Sequence, residues 1–451
     1  MRRVLTILLV FLAACTGTTP AGVPSTVPAT TSTGPAGTIP TVSIPTSSVP
    51  TSSITTDPMD EITIDPSHDS LTDAWARIPS SRPLTTGYRI RILPGTIAES
   101  AAPNYWEHKW GTPTAPIIVE AVTSGTVRIE ATINMFDVRN IRFSGLHIGP
   151  HGGGDAFHCE QCDGLTLSSV ELDGGNRSAH ETLKVNQSRN IFVEDSDIHG
   201  ADDNAIDFVA VEGGHVVRSR IHDAQDWCAY AKGGSSHIDF LDNEIYDCGT
   251  GGFTAGQGTG LEFMVEPWVR YEASFVRVAR NHVHDTEGAA FGVNGGYNVS
   301  IENNTAERVG SRDHLIEIVP GSRSCDGDVA RCRELVSRGA WGSTDTTSAV
   351  DIPNRHVWVI NNRLLNPGGG ALWNHFVIRA ATDVHIVGNV IVNGDGHQAI
   401  SEGEGCSDGS CSDSQIVGDN LLGALTPVPA THPSPEWVCE PVQSGGDTGI
   451  C

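Results

Sequence analysis

Carboxylates, lysines and aromatic side chains are concentrated in residues 180–235, and these residue types can bind cations and move protons. Three aspartates occur together as Asp202-Asp203-x-x-x-Asp207. A second polar and aromatic group follows one segment later, and it contains Asp226, Trp227, Tyr230 and Lys232. Carboxylate oxygens are hard ligands that suit Ca²⁺, and a lysine acts as a base when burial and a nearby cation lower its pKa. The sequence therefore predicts a polar functional surface, provided that the fold brings the two groups together.

Alternating apolar residues predict how these groups are oriented. The residues predicted to face a core are Ile206, Phe208, Ala229, Ala231, Phe253, Ala255, Phe291 and Val293. The residues between them point outward in two rows. The first row is Thr182, Asp207, Tyr230, Thr254 and Gly292, and the second is Lys184, Val209, Lys232, Gly256, Asn294 and Glu317. The positions of Thr182 and Lys184 assume a one-residue slip. Neighbours in a row lie ~4.8 Å apart, so we expect Asp207, Tyr230 and Lys232 to share one exposed strip.

A repeat predicts how the segments are stacked. From Ile141 onward a phrase such as Ile191-x-Val193-x-x-Ser196-x-Ile198 returns with a basic period of about 24 residues. The closing residues are Ile148, Leu172, Ile198, Ile221, Ile245, Val283, Ala306, Leu364, Ile391 and Leu422. Helical repeats would need a 3.6-residue period, which these alternating segments lack. The sequence therefore predicts an all-β, single-stranded parallel solenoid of about ten coils, with loop insertions after Ile245 and Ala306.

This pattern resembles the right-handed parallel β-helix of the pectate-lyase-like superfamily, over roughly residues 88–425. Ile90-Arg91-Ile92-Leu93-Pro94-Gly95-Thr96 resembles the first-coil entry phrase of that group. Asparagines at one position of the repeat fit a ladder of stacked amides, and they are Asn243, Asn281, Asn304, Asn362, Asn389 and Asn420. Such helices host lyases, hydrolases, epimerases, esterases and binding proteins, so the resemblance implies the fold and leaves the activity open.

The aspartate cluster resembles the calcium site of the pectate lyases of polysaccharide lyase family nine. In that family an Asp-Asp-x-x-Asp cluster holds Ca²⁺, and a lysine on a nearby coil removes a proton. The resemblance implies that Asp202, Asp203 and Asp207 hold Ca²⁺ and that Lys232, or Lys184, is the base, with a spacing one residue longer here. The substrate-binding residues expected beside them are Tyr230, Asp226, Trp227, Trp268 and Arg312. Calcium would also allow a chain with a net charge of -26 to accept an acidic polymer.

Two other functions fit the same residues. Gly200-Ala201-Asp202-Asp203 resembles the paired aspartates of polygalacturonase-type hydrolases, which use carboxylates as acid and base, although other phrases of that family are absent. A non-catalytic glycan-binding scaffold would use only the strip and its aromatic residues. Glu181 and His180, or Glu287 and Glu317, could supply further carboxyl chemistry, and His199, His222 and His284 are expected to form a structural stack or a metal site.

Net charge and motifs limit the partners. A charge of 28 − 54 = −26 disfavours nucleic acid, whose phosphates require a surplus of Lys and Arg. No Gly-x-Ser-x-Gly elbow indicates serine hydrolase chemistry. We therefore expect a polysaccharide partner, no nucleic acid and a monomeric chain.

The N-terminal residues predict export. A basic Met1-Arg2-Arg3 precedes an apolar run from Val4 to Ala14, and a run this short cannot cross ~30 Å of hydrocarbon, which indicates a signal peptide over residues 1–14. Leu12-Ala13-Ala14-Cys15 resembles the bacterial lipobox, which implies lipid attachment at Cys15; the alternative is an ordinary secretory signal. Residues 15–57 are predicted to form a Ser/Thr/Pro-rich tether. Residues 58–426 would then be the β-helix domain, anchored at the outer side of the cell membrane, and residues 427–451 a C-terminal cap or tail.

Cysteine usage is consistent with export. The chain has 11 cysteines, and 11 − 1 = 10 remain if Cys15 carries lipid. They occur as close pairs that predict local disulfides in an oxidising compartment: Cys159 with Cys162, Cys228 with Cys248, Cys325 with Cys332, Cys406 with Cys411, and Cys439 with Cys451. A zinc site that uses Cys159 and Cys162 is the alternative.

Overall fold

A computed structural model describes residues 59–149, 154–265, 271–312, 314–324, 330, 350–366, 374–392, 398–402, 421–422, 434–435 and 437. Short strands of these residues wind into a parallel β-solenoid of about eleven turns, and this confirms the predicted fold class. The predicted signal peptide, Cys15 and the tether lie outside the described residues, as does Trp268.

Three parallel sheets form the walls of the solenoid, and a regular turn passes from sheet A through sheet B to sheet C. Sheet A consists of Met59–Ile64, Gly87–Ile92, Ile117–Ala121, Arg139–Ser144, Asp163–Ser168, Arg189–Glu194, Glu212–Val217, Ser235–Leu241, Ala273–Ala279, Gly296–Glu302, Asn354–Ile360 and Ala381–Val387. Sheet B consists of Gly95–Ala98, Val127–Glu130, Leu146–Ile148, Glu171–Asp173, Asp197–Ala201, Arg220–Ala224, Glu244–Cys248, His282–His284, Thr305–Glu307, Arg363–Leu365, Val390–Val392 and Leu421–Leu422. Sheet C consists of Trp106–Glu107, Ile133–Phe136, Phe157–Glu160, Leu183–Asn186, Ile206–Val209, Trp227–Lys232, Gly251–Gly256, Ala289–Asn294, Ile316–Val319, Asn374–Ile378 and Gln398–Glu402.

The remaining described elements are short. A helix, Leu71–Ala76, begins at Ser70, whose side chain accepts a hydrogen bond from the backbone of Asp73. Two 3₁₀ turns are formed by Glu99–Ala101 and Leu261–Phe263. A small sheet contains three strands, Gly258–Gly260, Gly321–Ser324 and Val350–Ile352. Within the described residues, every helix is too short or too polar to span a bilayer.

The strand register confirms the predicted repeat. In sheet B each predicted closing residue lies opposite the predicted closing residue of the next coil, from the pair Ile148–Leu172 to the pair Ile391–Leu422. The predicted number of coils is slightly low, because the described strands of sheet A and of sheet B number 12 each. Strands such as Gly87–Ile92 and Ile117–Ala121 add coils in a region where the Asn, Ser or Asp of the repeat phrase is missing.

The asparagine ladder is confirmed from Asn243 to Asn389. The side-chain oxygen of Asn281 accepts from the backbone N–H and the amide of Asn243 at 2.9 and 3.0 Å, and the Asn281 amide donates to the Phe240 carbonyl at 2.9 Å. The rungs at Asn304, Asn362 and Asn389 repeat these bonds. Ser219 continues the ladder toward the N-terminus, since its hydroxyl accepts from the Ser196 backbone. A buried polar line thus ties successive turns together.

Two predicted disulfides lie within the described residues and are formed, Cys159–Cys162 and Cys228–Cys248. The first of these bonds occupies the thiols that the zinc alternative required. The other three predicted pairs lie outside the described residues and stay predictions: Cys325 with Cys332, Cys406 with Cys411, and Cys439 with Cys451.

Three tail residues are described, and they lie against the outer face of sheet A. The Trp437 ring is 6.0 Å from the Phe275 ring and 6.3 Å from the Trp358 ring. Ser434 donates to the Glu302 carboxylate at 2.5 Å. Trp437 therefore packs against aromatic residues on the side of sheet A, and the role of residues 427–451 as a cap or tail stays a prediction.

Candidate functional site

Sheet C orients the predicted site residues. Ile206 and Phe208 are fully buried in the core, so Asp207 between them points to the outer face. The register places Asp207 opposite Tyr230 on the next strand, and Val209 opposite Lys232. Asp207, Tyr230 and Lys232 therefore lie on one flank of the solenoid, as the sequence predicts.

The register corrects both predicted rows. Lys184 lies opposite Asp207, not Val209, and Thr182 precedes the strand. The assumed slip was wrong because Leu183 and Val185 are the core-facing pair of that strand. Glu317 lies opposite Gly292, so it belongs to the first row. The central row of sheet C is thus His158, Lys184, Asp207, Tyr230, Thr254, Gly292 and Glu317.

Part of this central row is buried although it faces outward. Asp207 is 1% exposed, Tyr230 3% and Thr254 0%, whereas the side chain of Lys184 is 22% exposed. The predicted exposed strip is therefore wrong for Asp207 and Tyr230. The polar residues of the turns that precede the strands bind and cover them, as the next contacts show.

Four polar side chains form a continuous network around Asp207. The Lys184 ammonium donates to Asp207 at 2.8 Å and to Glu181 at 3.2 Å. Glu181 also accepts from the Asn204 backbone N–H at 2.9 Å, and the Asn204 amide donates to the Tyr230 hydroxyl at 3.1 Å. The second oxygen of Asp207 is buried and accepts no hydrogen bond from the described residues. Asn204 was not predicted as a site residue, since Asp-Asp-Asn is a common turn sequence.

The network sets the protonation of its members. Burial, reinforced by the Asp207 carboxylate, raises the pKa of Glu181 to about 7. Burial alone would lower the pKa of Lys184, but Asp207 and Glu181 outweigh it and raise this pKa above its ordinary value. Burial also raises the pKa of Tyr230, and Asp207 adds to the effect. At neutral pH the site therefore holds a fixed ammonium cation, a protonated phenol and a carboxyl group that readily exchanges its proton.

His180, Asp203 and Asp226 lie at the turns above this network. The side chain of His180 is 59% exposed, and its ring nitrogens lie 3.4 Å from Glu181 and 3.7 Å from Asp203. Burial and the Asp226 carboxylate raise the pKa of Asp203. The carboxyl group of Asp203 therefore binds a proton more tightly than usual, and the exposed imidazole of His180 is available to solvent.

The predicted calcium ligands are not assembled as a ligand set. Asp207 is bound to the Lys184 ammonium, and Asp202 accepts a hydrogen bond from Gln225. Within the described residues, the carboxylate and imidazole groups near this site whose donor atoms lie within 4.8 Å of one another are His180, Glu181 and Asp203. Glu181 is already bound to Lys184 and Asn204, and imidazole is not a calcium ligand, so we assign no metal here.

Lys232 has surroundings different from those of Lys184. Its ammonium lies 4.2 Å from the centre of the Tyr230 ring and donates to the Gln257 side chain at 3.1 Å. It forms no ion pair with any residue in the described ranges. Gln257 opens the predicted insertion after Ile245, so this insertion contacts Lys232 as a wall beside the central row.

A buried ion pair holds the wall. Glu272 and Arg323 are 0% and 1% exposed and bind each other. The Thr259 hydroxyl donates to Glu272 at 2.7 Å, and strand Gly258–Gly260 pairs with Gly321–Ser324. The two predicted insertions therefore join in one small sheet.

The other predicted binding residues have different positions. Trp227 is 3% exposed and packs with Tyr230 and Ala289, so it supports the site rather than offering a free surface. Asp226 is partly buried at the turn, and Arg312 is exposed before strand Ile316–Val319, well beyond the network. Asp202 is exposed.

The sequence matches the family described as "Right handed beta helix region" over residues 125–306. Together with the parallel sheets, this match defines the fold as a right-handed parallel β-helix. A comparison with curated proteins finds no match.

Solved structures of similar fold have low sequence identity. The mannuronan C-5 epimerase AlgE6 A-module of Azotobacter vinelandii is 12% identical, covers 75% of this chain and 92% of its own, and has a TM-score of 0.48. The alginate lyase from Paenibacillus sp. str. FPU-7 is 10% identical, covers 76% and 98%, and has a TM-score of 0.43. A PL6 family polysaccharide lyase from Pseudopedobacter saltans is 13% identical, covers 80% and 92%, and has a TM-score of 0.45.

Proposed function

We propose that this chain is an exported polysaccharide lyase or C5 epimerase that acts on a uronic-acid-containing polymer. Both reactions begin with removal of the C5 proton beside the substrate carboxylate, so both need a base, a proton donor and positive charge near the carboxylate. The observation that carries the proposal is the difference between two lysines on one face. Lys184 is held as a cation by two carboxylates, whereas Lys232 is bound only to an amide and an aromatic ring.

The proposed roles follow from these surroundings. Lys232 in its neutral form accepts the C5 proton, and Lys184 balances the charge of Asp207 and Glu181 so that a uronate can approach. In a lyase the electron pair of the C5–H bond then forms the C4–C5 double bond, the C4–O bond breaks, and the leaving oxygen takes a proton. In an epimerase C5 takes a proton from the opposite face instead. On the outer face of sheet C the proton donor is the exposed His180, which lies beside Glu181.

Calcium dependence stays a prediction, and no step above passes through a metal. Export and lipid attachment at Cys15 are also part of the proposal. The disulfides Cys159–Cys162 and Cys228–Cys248 support an oxidising compartment.

Replacement of Lys232 tests the proposal. We expect Lys232→Ala to lower kcat on a cleaved or epimerised uronan at least about 100-fold, which is typical for loss of a general base, and to leave the melting temperature unchanged. Ultraviolet absorbance of unsaturated ends measures lyase activity, and nuclear magnetic resonance of the polymer measures epimerisation. Glu160→Gln, on the outer face of sheet C outside the network, is the matched control. Full activity of Lys232→Ala would contradict the assigned base.

A glycoside hydrolase is the second candidate, because Asp203 and Asp226 are neighbouring carboxyl groups and the pKa of Asp203 is raised. A pair of carboxyl groups, one acting as acid and the other as base, suits hydrolysis of a glycosidic bond. Release of reducing ends without ultraviolet absorbance, lost in Asp203→Asn, would favour this function. Retention on one glycan without any turnover would indicate a binding scaffold.

A further inference from the structure

Two histidines lie on the outer face of sheet B, away from the sheet C site. They occupy alternate positions of strand His282–His284, and Val283 between them is fully buried in the core, so both imidazoles point outward. The register places Glu244 opposite His282 on one neighbouring strand. It places Glu307 opposite His284 on the other. Three consecutive coils thus bring two imidazoles and two carboxylates to one patch.

Donor atoms in this patch are already at the spacing of metal ligands. Glu244, His282 and His284 each offer one donor atom within 4.8 Å of the other two. His284 Nε2 lies 3.3 Å from Glu244 Oε1, and His282 Nε2 lies 3.0 Å from Glu307 Oε1. Two ligands that bind one tetrahedral Zn²⁺ at 2.0–2.1 Å are themselves ~3.4 Å apart. Small rotations of these side chains would place Glu244, His282 and His284 around one ion, and Glu307, which lies beside His282, is the candidate fourth ligand.

His284 also has a partner that orients it for metal binding. Its Nδ1 lies 2.7 Å from Asp285 Oδ2, and Arg308 holds both oxygens of Asp285 at 2.6 and 2.8 Å. The imidazole is stacked on Tyr246 at 4.9 Å with an interplanar angle of 4°. Metal-binding histidines commonly donate their second N–H to a carboxylate in this way.

The two carboxylates beside His284 cannot both be satisfied by a neutral ring. A neutral imidazole has one N–H donor, yet Asp285 faces Nδ1 and Glu244 faces Nε2. If Nδ1 donates to Asp285, the lone pair of Nε2 points at Glu244. A metal ion bound by both Nε2 and Glu244 would remove this conflict.

We infer that Glu244, His282, His284 and Glu307 form a transition-metal site that takes Zn²⁺ or a similar ion. Two nitrogen and two oxygen ligands suit Zn²⁺. The ion would join strands Glu244–Cys248, His282–His284 and Thr305–Glu307, so its role is to crosslink three coils. The site is independent of the function proposed for sheet C.

Calorimetric titration of the full exported chain with Zn²⁺ tests the inference. All proteins in the titration carry His180→Ala, since His180, Glu181 and Asp203 are another group that could take up the ion. We expect binding of one Zn²⁺ and a higher melting temperature with Zn²⁺ present. The double replacement His282→Ala with His284→Ala should abolish both effects.

Three further variants keep the test specific. His222→Ala is the matched control, because His222 belongs to the same ring stack and contacts Asp197 rather than the patch; it should bind Zn²⁺ normally. Asp285→Asn should weaken Zn²⁺ about tenfold, the effect typical of a lost outer-shell partner. Glu244→Gln keeps both imidazoles and should also weaken binding, which covers the case in which the double variant does not fold. Unchanged Zn²⁺ binding in the double variant, or no Zn²⁺ uptake by the parent, would overturn the inference.

Discussion

Neighbouring charges, more than burial, distinguish the two lysines on the outer face of sheet C. Lys184 and Lys232 are both partly buried, but Lys184 lies between Asp207 and Glu181 while Lys232 lies over Tyr230. The same carboxylates act on each other, since Asp207 adds to the effect of burial on Glu181. One ammonium group therefore stays charged, and one carboxyl group keeps its proton near neutral pH.

The raised pKa of Glu181 has a measurable effect on stability. This pKa is about 7 in the folded chain against an ordinary value of 4.5, so the folded state binds the proton more tightly. This contribution is complete below pH 4.5 and is lost as the pH rises through 7. We expect Glu181→Gln, which cannot ionise, to gain stability relative to the wild type by up to about 3 kcal/mol across this range. Urea unfolding at several pH values measures the difference, and a difference that does not change with pH would contradict the assignment.

Each rung of the asparagine ladder satisfies backbone groups of the coil before it. Asn281 accepts from the Asn243 backbone and donates to the Phe240 carbonyl. At the N-terminal end Ser219 and Ser196 take over the accepting role with a hydroxyl. The ladder position therefore requires a buried acceptor, and the amide adds a donor.

Replacement of Asn281 tests the ladder. Asn281→Ala leaves the Asn243 N–H buried without an acceptor, a loss that costs about 1–3 kcal/mol, and we expect a total of at least about 2 kcal/mol because the donor is lost as well. Asn281→Ser restores an acceptor like that of Ser219 and should cost clearly less. Chemical denaturation, followed by the circular dichroism of the strands, compares the two variants with the wild type. Equal losses of stability in the two variants would show that an accepting side chain at this position does not stabilise the fold.

Sequence periodicity predicted the elements better than the details of the site. The spacing of closing residues such as Ile245 and Val283 predicted the sheet B register, because one aliphatic per coil must face the core. The predicted position of Lys184 within its strand was wrong, because a one-residue slip was assumed although Leu183 and Val185 face the core. The burial of Asp207 was not predictable, since it depends on side chains from neighbouring turns.

The whole molecule is strongly acidic, and this opposes the binding that we propose for it. The net charge is -26, and a polyanion that approaches such a chain is repelled over roughly one Debye length. Lys184, which Asp207 and Glu181 hold as a cation, supplies local positive charge at the site. Long-range repulsion and short-range attraction therefore compete.

Salt separates these two effects. Screening shortens from ~30 Å at 0.01 M to ~8 Å at 0.15 M, so it weakens repulsion from the whole surface more than contacts within the site. We expect the KM for a uronan to fall several-fold over this range, with little change in kcat. A neutral glycan of similar length is the control for general salt effects. A KM that rises with salt would show that local lysine contacts dominate encounter.

Two buried tryptophans make the fluorescence of this protein sensitive to the N-terminal end of the core. Trp75 of helix Leu71–Ala76 lies 4.6 Å from Trp106, which in turn contacts Phe143, and both indoles are almost fully buried. Solenoids unfold by separation of neighbouring repeats, so fraying at this end hydrates the two indoles together while the middle coils remain wound. Tryptophan emission would then shift to longer wavelength before circular dichroism of the strands is lost.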